Sequence, residues 1–173
     1  MSFTIAIDGT AASGKGTLAK AVAQHFGFSY LDTGLIYRAV SEVALRQGNG
    51  QLYASEAIEI ARSFKREYLE LDNLRSEEAG SNASRIASIP EVRSELIKFQ
   101  REFALKGEGA VLDGRDIGTV ILPNSDLKIF VTADLKIRAE RRYQDFLKSQ
   151  VSITLERVLE DLSERDHRDC NRQ

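Results

Sequence analysis

The residues best equipped for chemistry stand near the start of the chain. Gly9, Thr10, Ala11, Ala12, Ser13, Gly14, Lys15, Gly16 and Thr17 follow the apolar run Ile5-Ala6-Ile7. They lead into Leu18, Val22 and Phe26 at four-residue steps. Strand, glycine loop, helix is the context of a P-loop. Its backbone N–H groups cradle phosphates, its lysine reaches the terminal ones, and the positive end of the helix faces them. The spacing predicts that Leu18, Val22 and Phe26 form the stripe packed on a sheet. Gly16 follows Lys15, so the hydroxyl that usually meets a metal ion arrives one place later, as Thr17.

Three further clusters carry charge. In Asp32-Thr33-Gly34 through Tyr37-Arg38, a helix opens and Arg38 lies one turn in, offering a fork of donors to a phosphate. In Asp113-Gly114-Arg115-Asp116, two carboxylates and an arginine crowd the end of the apolar strand Ala110-Val111-Leu112. Asp113 stands where it could orient Mg²⁺ or its waters, Arg115 could hold a phosphate, and Asp116 could accept hydrogen bonds from a base. In the last helix the apolar stripe Leu155, Val158, Leu159 and Leu162 continues by helical steps into Arg165, Asp169 and Arg172. That helix reads as crossing the mouth of an anionic site. Arg138, Arg141 and Arg142 add positive charge suited to a phosphoryl transition state. Plainer readings exist for each: a capping aspartate at Asp32, a charged turn at Asp113, a solvated face on either helix.

The elements that must position these groups alternate. Short strands are predicted at Phe28–Leu31, Ala110–Leu112 and Leu127–Val131, besides the one before the glycine loop. Helices are predicted after Asp32 with Ile36, Val40 and Val43 inward and a stop at Gly48, over Ser55 to about Phe64, and over Asn82 to Ser88. Others run from Pro90 to Gly107 with Val92, Leu96, Phe99 and Phe103 inward, from about Leu135, and from Ser152 or Thr154. Lys65 to Ser81 reads as the tip of an excursion. The alternation implies an α/β fold, a parallel sheet with helices on both faces and ligands at the C-terminal strand ends.

Composition sets outer limits. A chain of 173 residues, 42% hydrophobic and 29% charged, suits one globular domain. The net charge of −2 argues against a general nucleic-acid binder. Cys170 is the only cysteine, which leaves no disulfide framework. The first strand starts without a basic and apolar leader, and no apolar run suffices to span a membrane, so a cytoplasmic monomer is the expectation.

Taken together and in order, the motifs resemble a family. They are the glycine loop, Leu31-Asp32-Thr33-Gly34 with Tyr37-Arg38, Asn82-Ala83-Ser84 with Ile89-Pro90-Glu91-Val92-Arg93, Asp113 to Val120, Arg138 to Arg142, and Glu164-Arg165-Asp166 with Arg168-Asp169 and Asn171-Arg172. From Ile5 to Arg172 the chain resembles the bacterial cytidylate kinases, nucleoside monophosphate kinases in which Gly-Lys-Gly-Thr is the usual loop ending. The resemblance implies transfer of the γ-phosphoryl of ATP to CMP or dCMP with Mg²⁺. It implies an adenylate-kinase-like fold with a core (about 1–54 and 107–173), an excursion binding the monophosphate (about 55–106) and a lid (about 138–157). By position, residues Gly9 to Thr17 would hold the ATP phosphates and Arg141 would lie over adenine. Thr17 and Asp113 would serve the metal. Lys15, Arg38, Arg115, Arg142 and Arg172 would act on the transferring group or the CMP phosphate. Thr33, Gly34 and Tyr37 would line the monophosphate site, Ser84, Arg93 and Asp116 would read cytosine, and Arg165 and Asp169 would reach the ribose. Many family members carry a longer excursion between about Phe64 and Ser84, and members continue through a last core strand and helix, so one sheet edge is expected bare.

Two other functions compete: a P-loop kinase for another acceptor, and a truncated module that binds ATP without turnover. The arginine clusters of the last two helices are expected to repel when no ligand lies between them, leaving Arg142 to Ser152 mobile.

Overall fold

The structure, a computed structural model, describes residues 2–148 and 151–171. Its framework is a parallel sheet of β1 (Phe3–Gly9), β2 (Ser29–Asp32), β3 (Gly109–Gly114) and β4 (Leu127–Val131), in the order β2-β3-β1-β4. The two-residue period of the strands divides the core. Ile5, Ile7 and Val111 point to one face and meet Ala19 and Ala23 of α1 (Lys15–Phe26). Ala6, Ala110 and Leu112 point to the other, where α2 (Thr33–Gln47), α3 (Ala54–Arg62) and α5 (Pro90–Ala104) cover them. Ile36, Val40, Ile60, Val92 and Leu96 are buried there. The helices between Ala54 and Ala104 thus share the core of the sheet.

Most predicted elements are present, with two differences. The stripe of α1 is not Leu18, Val22 and Phe26. Leu18 is 38% and Phe26 58% exposed, while Ala19 and Ala23 are buried and Val22 packs beside them. A helix lying close on a sheet needs small residues at its contact line, and hydrophobic size misled the sequence reading. The helix expected from Asn82 starts earlier, as α4 (Glu77–Ile86), because the Ser76 hydroxyl accepts from the Ala79 N–H at 3.1 Å and caps it. A 3₁₀ turn, Arg66–Glu70, precedes it, and a π-helical turn, Ile117–Ile121, follows β3.

The last two helices, α6 (Leu135–Lys148) and α7 (Leu155–Cys170), form a third cluster. Phe146, Val158 and Leu162 are buried against Ala11 of the glycine loop. Thr154 caps α7 by accepting from the Arg157 N–H at 3.2 Å. The expected repulsion between arginine clusters is answered by acids: Arg138 pairs with Asp166 at 2.6 Å and Arg168 with Glu164 at 3.5 Å. Within the stretch expected to be mobile, α6 is helical through Lys148 with Phe146 buried; residues 149 and 150 lie outside the described ones.

β4 is an edge strand, with Leu127 44% and Phe130 67% exposed. Cys170 is exposed. Among the described residues, no helix is long and apolar enough to cross a membrane.

Candidate active site

Parallel pairing places functional side chains at one end of the sheet. Asp32 is in register with Asp113, and Asp8 with Gly114. Above these ends lies a cavity of about 350 Å³ whose walls include Lys15, Arg38, Asp113, Arg115, Arg142 and Arg165. Ala11, Ala12, Gly16, Thr33, Gly34, Tyr37, Ser84, Arg93, Asp116 and Asp169 also face it.

The glycine loop forms one wall. Gly14, at φ 92°, sits in the left-handed region and lets the chain turn into α1. The buried hydroxyls of Thr10 and Ser13 have no hydrogen-bond partner among the described residues. Buried donors left open in a loop of this kind suit phosphate oxygens. Lys15 Nζ lies 3.5 Å from the Thr10 carbonyl. Burial, then the Arg115 charge, lower its pKa to about 8. Thr17 is exposed and, like Gly9, does not line the cavity, whereas Gly16 does.

Arg38 reaches the cavity from α2 and is held by the excursion. Its Nη1 donates to the carbonyls of Leu74 (2.7 Å) and Ser76 (3.0 Å). Gly80 of α4 permits this, since a Cβ there would stand 2.9 Å from Arg38 Nη2. Burial lowers the Arg38 pKa, so an anion is a favourable partner.

The carboxylates divide by surroundings. Asp113 is 3% exposed and accepts from Tyr30 Oη at 2.7 Å. Burial, then the Asp32 charge, raise its pKa to about 6. Asp32 does not cap α2 through its side chain; it faces Arg75 at 3.6 Å. Two adjacent carboxylates beside a phosphate loop suit Mg²⁺, which binds through one or two carboxylates, waters and phosphates rather than a full protein cage. Among the described residues no cluster of three or more His, Cys, Asp or Glu could hold a metal ion by itself.

The expected base and ribose readers are paired with one another. Arg93 Nη2 donates to Asp116, and Arg115 Nε donates to Asp169 at 2.7 Å. Ser84 is 2% exposed and accepts from Arg168 Nε at 3.3 Å. Arg142 lies over the Phe146 ring at 4.4 Å. Arg141 is exposed and outside the lining. Arg138 does not join the positive wall as expected. It is 4% exposed and donates to the carbonyls of Ala11 (3.1 Å) and Ala133 (2.9 Å) and to Asp166, tying the loop to both last helices. Arg172 lies outside the described residues. The lining also holds Asp32, which the sequence motif included without a site role, and Arg75 and Asp145, which carried no local signal.

Two titrations follow. Phosphate contact raises the Lys15 pKa from about 8, so binding takes up a proton and ATP affinity should fall as pH rises through 8. Calorimetry should show about fivefold weaker binding at pH 9 than at pH 8, and Lys15→Met should remove the dependence. For Asp113 the folded pKa of about 6 exceeds the unfolded value, so ionisation costs stability as pH rises from 4 past 6. Asp113→Asn should therefore stabilise the ligand-free protein by about 1–3 kcal/mol at pH 7.5, with no gain near pH 4, measured by urea unfolding. Activity should be lost in the same variant.

Comparison with known proteins agrees with this geometry. The family model described as Cytidylate kinase matches residues 5–173. A cytidylate kinase of Cereibacter sphaeroides (strain KD131) is 50% identical over 173 residues, covering 100% of this chain and 81% of that protein. One of Paramagnetospirillum magneticum is 50% identical over 175 residues, covering 99% and 83%. One of Bartonella bacilliformis is 47% identical over 171 residues, covering 99% and 80%. The crystal structure of an uncharacterized protein from Eubacterium ventriosum shares the fold, with a TM-score of 0.51 at 16% identity over 96% of this chain and 73% of that one. Matched by this family model over residues 5–173 and half identical to these enzymes along its whole length, the chain belongs to the cytidylate kinase family.

Proposed function

We propose that the chain transfers the γ-phosphoryl group of ATP to CMP or dCMP, giving ADP and the nucleoside diphosphate. The observation that carries this is the presence of Lys15, Arg38, Arg115 and the Arg93–Asp116 pair around one cavity. One wall suits a triphosphate and the opposite wall a cytosine edge.

Residues 9–17 hold the ATP phosphates, with Lys15 against the terminal ones. Arg38 and Arg115 grip the CMP phosphate, and Arg142 closes over the transferring group. Arg172 would join them, and Arg141 would cover adenine on closure. Asp116 accepts from the cytosine N4 amino group and Arg93 donates to N3 or O2, assisted by Ser84. A uracil carbonyl would meet Asp116 with no proton between them. Asp169 and Arg165 serve the ribose, and Thr33, Gly34 and Tyr37 shape the floor. Asp113, with Asp32, would hold Mg²⁺, which neutralises phosphate charge when bound; Thr17 is a weaker candidate because it is exposed. No side chain acts as a strong base, since phosphoryl transfer depends mostly on positioning and charge stabilisation. Residues 1–54 and 107–173 act as core, 55–106 as the monophosphate-binding part and 138–157 as the lid. A monomer acting on cytoplasmic nucleotides completes the reading.

Coupled ADP release with CMP, dCMP, UMP and AMP tests the reading. CMP and dCMP should exceed UMP at least tenfold in kcat/KM. Asp116→Asn should narrow that ratio with KM for ATP unchanged. Preference for UMP or AMP would redirect the reading to another acceptor, and ATP binding without turnover would leave a binding module.

A further inference from the structure

Asp8 is 9% exposed, next to the glycine loop, and does not line the cavity. Its carboxylate nevertheless makes two of the best-formed polar contacts at that end of the sheet. Oδ1 accepts from the Ile117 N–H at 2.7 Å and Oδ2 from the Gly118 N–H at 2.8 Å, both buried. These N–H groups open the π-helical turn Ile117–Ile121, where a helical turn has no carbonyl to offer its first donors. The residue immediately before them is Asp116. Its own carbonyl accepts from the N–H groups of Val120 (2.8 Å) and Ile121 (3.2 Å), and its side chain faces Arg93.

Burial opposes the charge of Asp8, while the two N–H groups favour it. Among the described residues no cation is bonded to it, and its two oxygens serve the two N–H donors. A neutral amide of the same shape has one acceptor and one donor, and the donor would point at an N–H. The contact is also closely packed. A Cβ on Gly118 would stand 3.4 Å from Asp8 Oδ2 and 3.1 Å from Lys128 Cδ.

We infer that Asp8 is a positioning residue for substrate choice: it fixes the base-reading turn to the root of the phosphate loop, so that Asp116 meets the cytosine edge while ATP lies in register beside it. The inference rests on the CMP reading above. Asp8 touches neither substrate, and its influence passes through the backbone of Ile117 and Gly118.

The test is steady-state kinetics of Asp8→Asn beside the unaltered chain. KM for CMP should rise at least tenfold and the CMP-to-UMP preference should narrow at least fivefold, with KM for ATP within twofold. Unchanged CMP kinetics would overturn the inference, as would CMP and ATP constants rising together, the sign of a merely structural role. If the asparagine variant does not fold, Asp8→Glu, which keeps both acceptor oxygens but displaces them by one methylene, should give the same split in milder form, and equal effects on both substrates would overturn it. In the unaltered chain, amide exchange at Ile117 and Gly118 should be far slower than at exposed Thr119, and equal rates would show that the contact is absent. If the unaltered chain does not use CMP, the functional reading fails first; if it does and the variants keep their CMP preference, only the role of Asp8 fails.

Discussion

Three aspartates stand at the C-terminal ends of three adjacent strands, and much of the active end is arranged to offset them. Parallel pairing leaves no choice about their proximity: Asp32 is in register with Asp113, and Asp8 lies on the strand beside them. Each is compensated differently. Asp8 takes two backbone N–H groups, Asp113 takes the Tyr30 hydroxyl and the field of Lys15, and Asp32 faces Arg75. Burial and the neighbouring Asp32 charge raise the Asp113 pKa to about 6, and perturbed carboxylates of this kind cluster at ligand sites.

The positive groups are held with comparable care. Arg38 is aimed by two carbonyls of the excursion, Arg115 by Asp169 and Arg93 by Asp116. Pairing within the site keeps buried charges satisfied before substrate arrives, and a nucleotide must exchange for these contacts. Exchange of this kind favours a ligand that replaces both partners at once. A nucleotide carries both an anionic phosphate and a hydrogen-bonding base edge, and so meets that condition. Arg138 belongs to a different arrangement. Its bonds to Ala11, Ala133 and Asp166 join the glycine loop to the last two helices.

The glycine loop, the succession of strands and helices along the chain and the acidic strand ends were legible in the sequence because each depends on short-range spacing. The face of α1 was not, because the sheet demands Ala19 and Ala23 at close approach while Leu18 and Phe26 are left outside. The start of α4 was readable in hindsight from Ser76 before two glutamates, but a charged stretch obscured it. Arg138 could not be sorted from Arg141 and Arg142 by type or spacing; only the packing of α6 decides which arginine is buried. The role of Asp8 was equally hidden, since its partners are backbone groups 109 and 110 residues away.

If one cavity holds donor and acceptor nucleotide together, each takes over charges that are otherwise paired internally. Titration calorimetry with adenosine and cytidine joined 5′ to 5′ through a phosphate chain is the sharpest measurement of this. Binding should be at least a hundredfold tighter than that of ATP or CMP alone and weaken steeply with added salt. Affinity no better than that of ATP would show that the two nucleotides do not share the cavity.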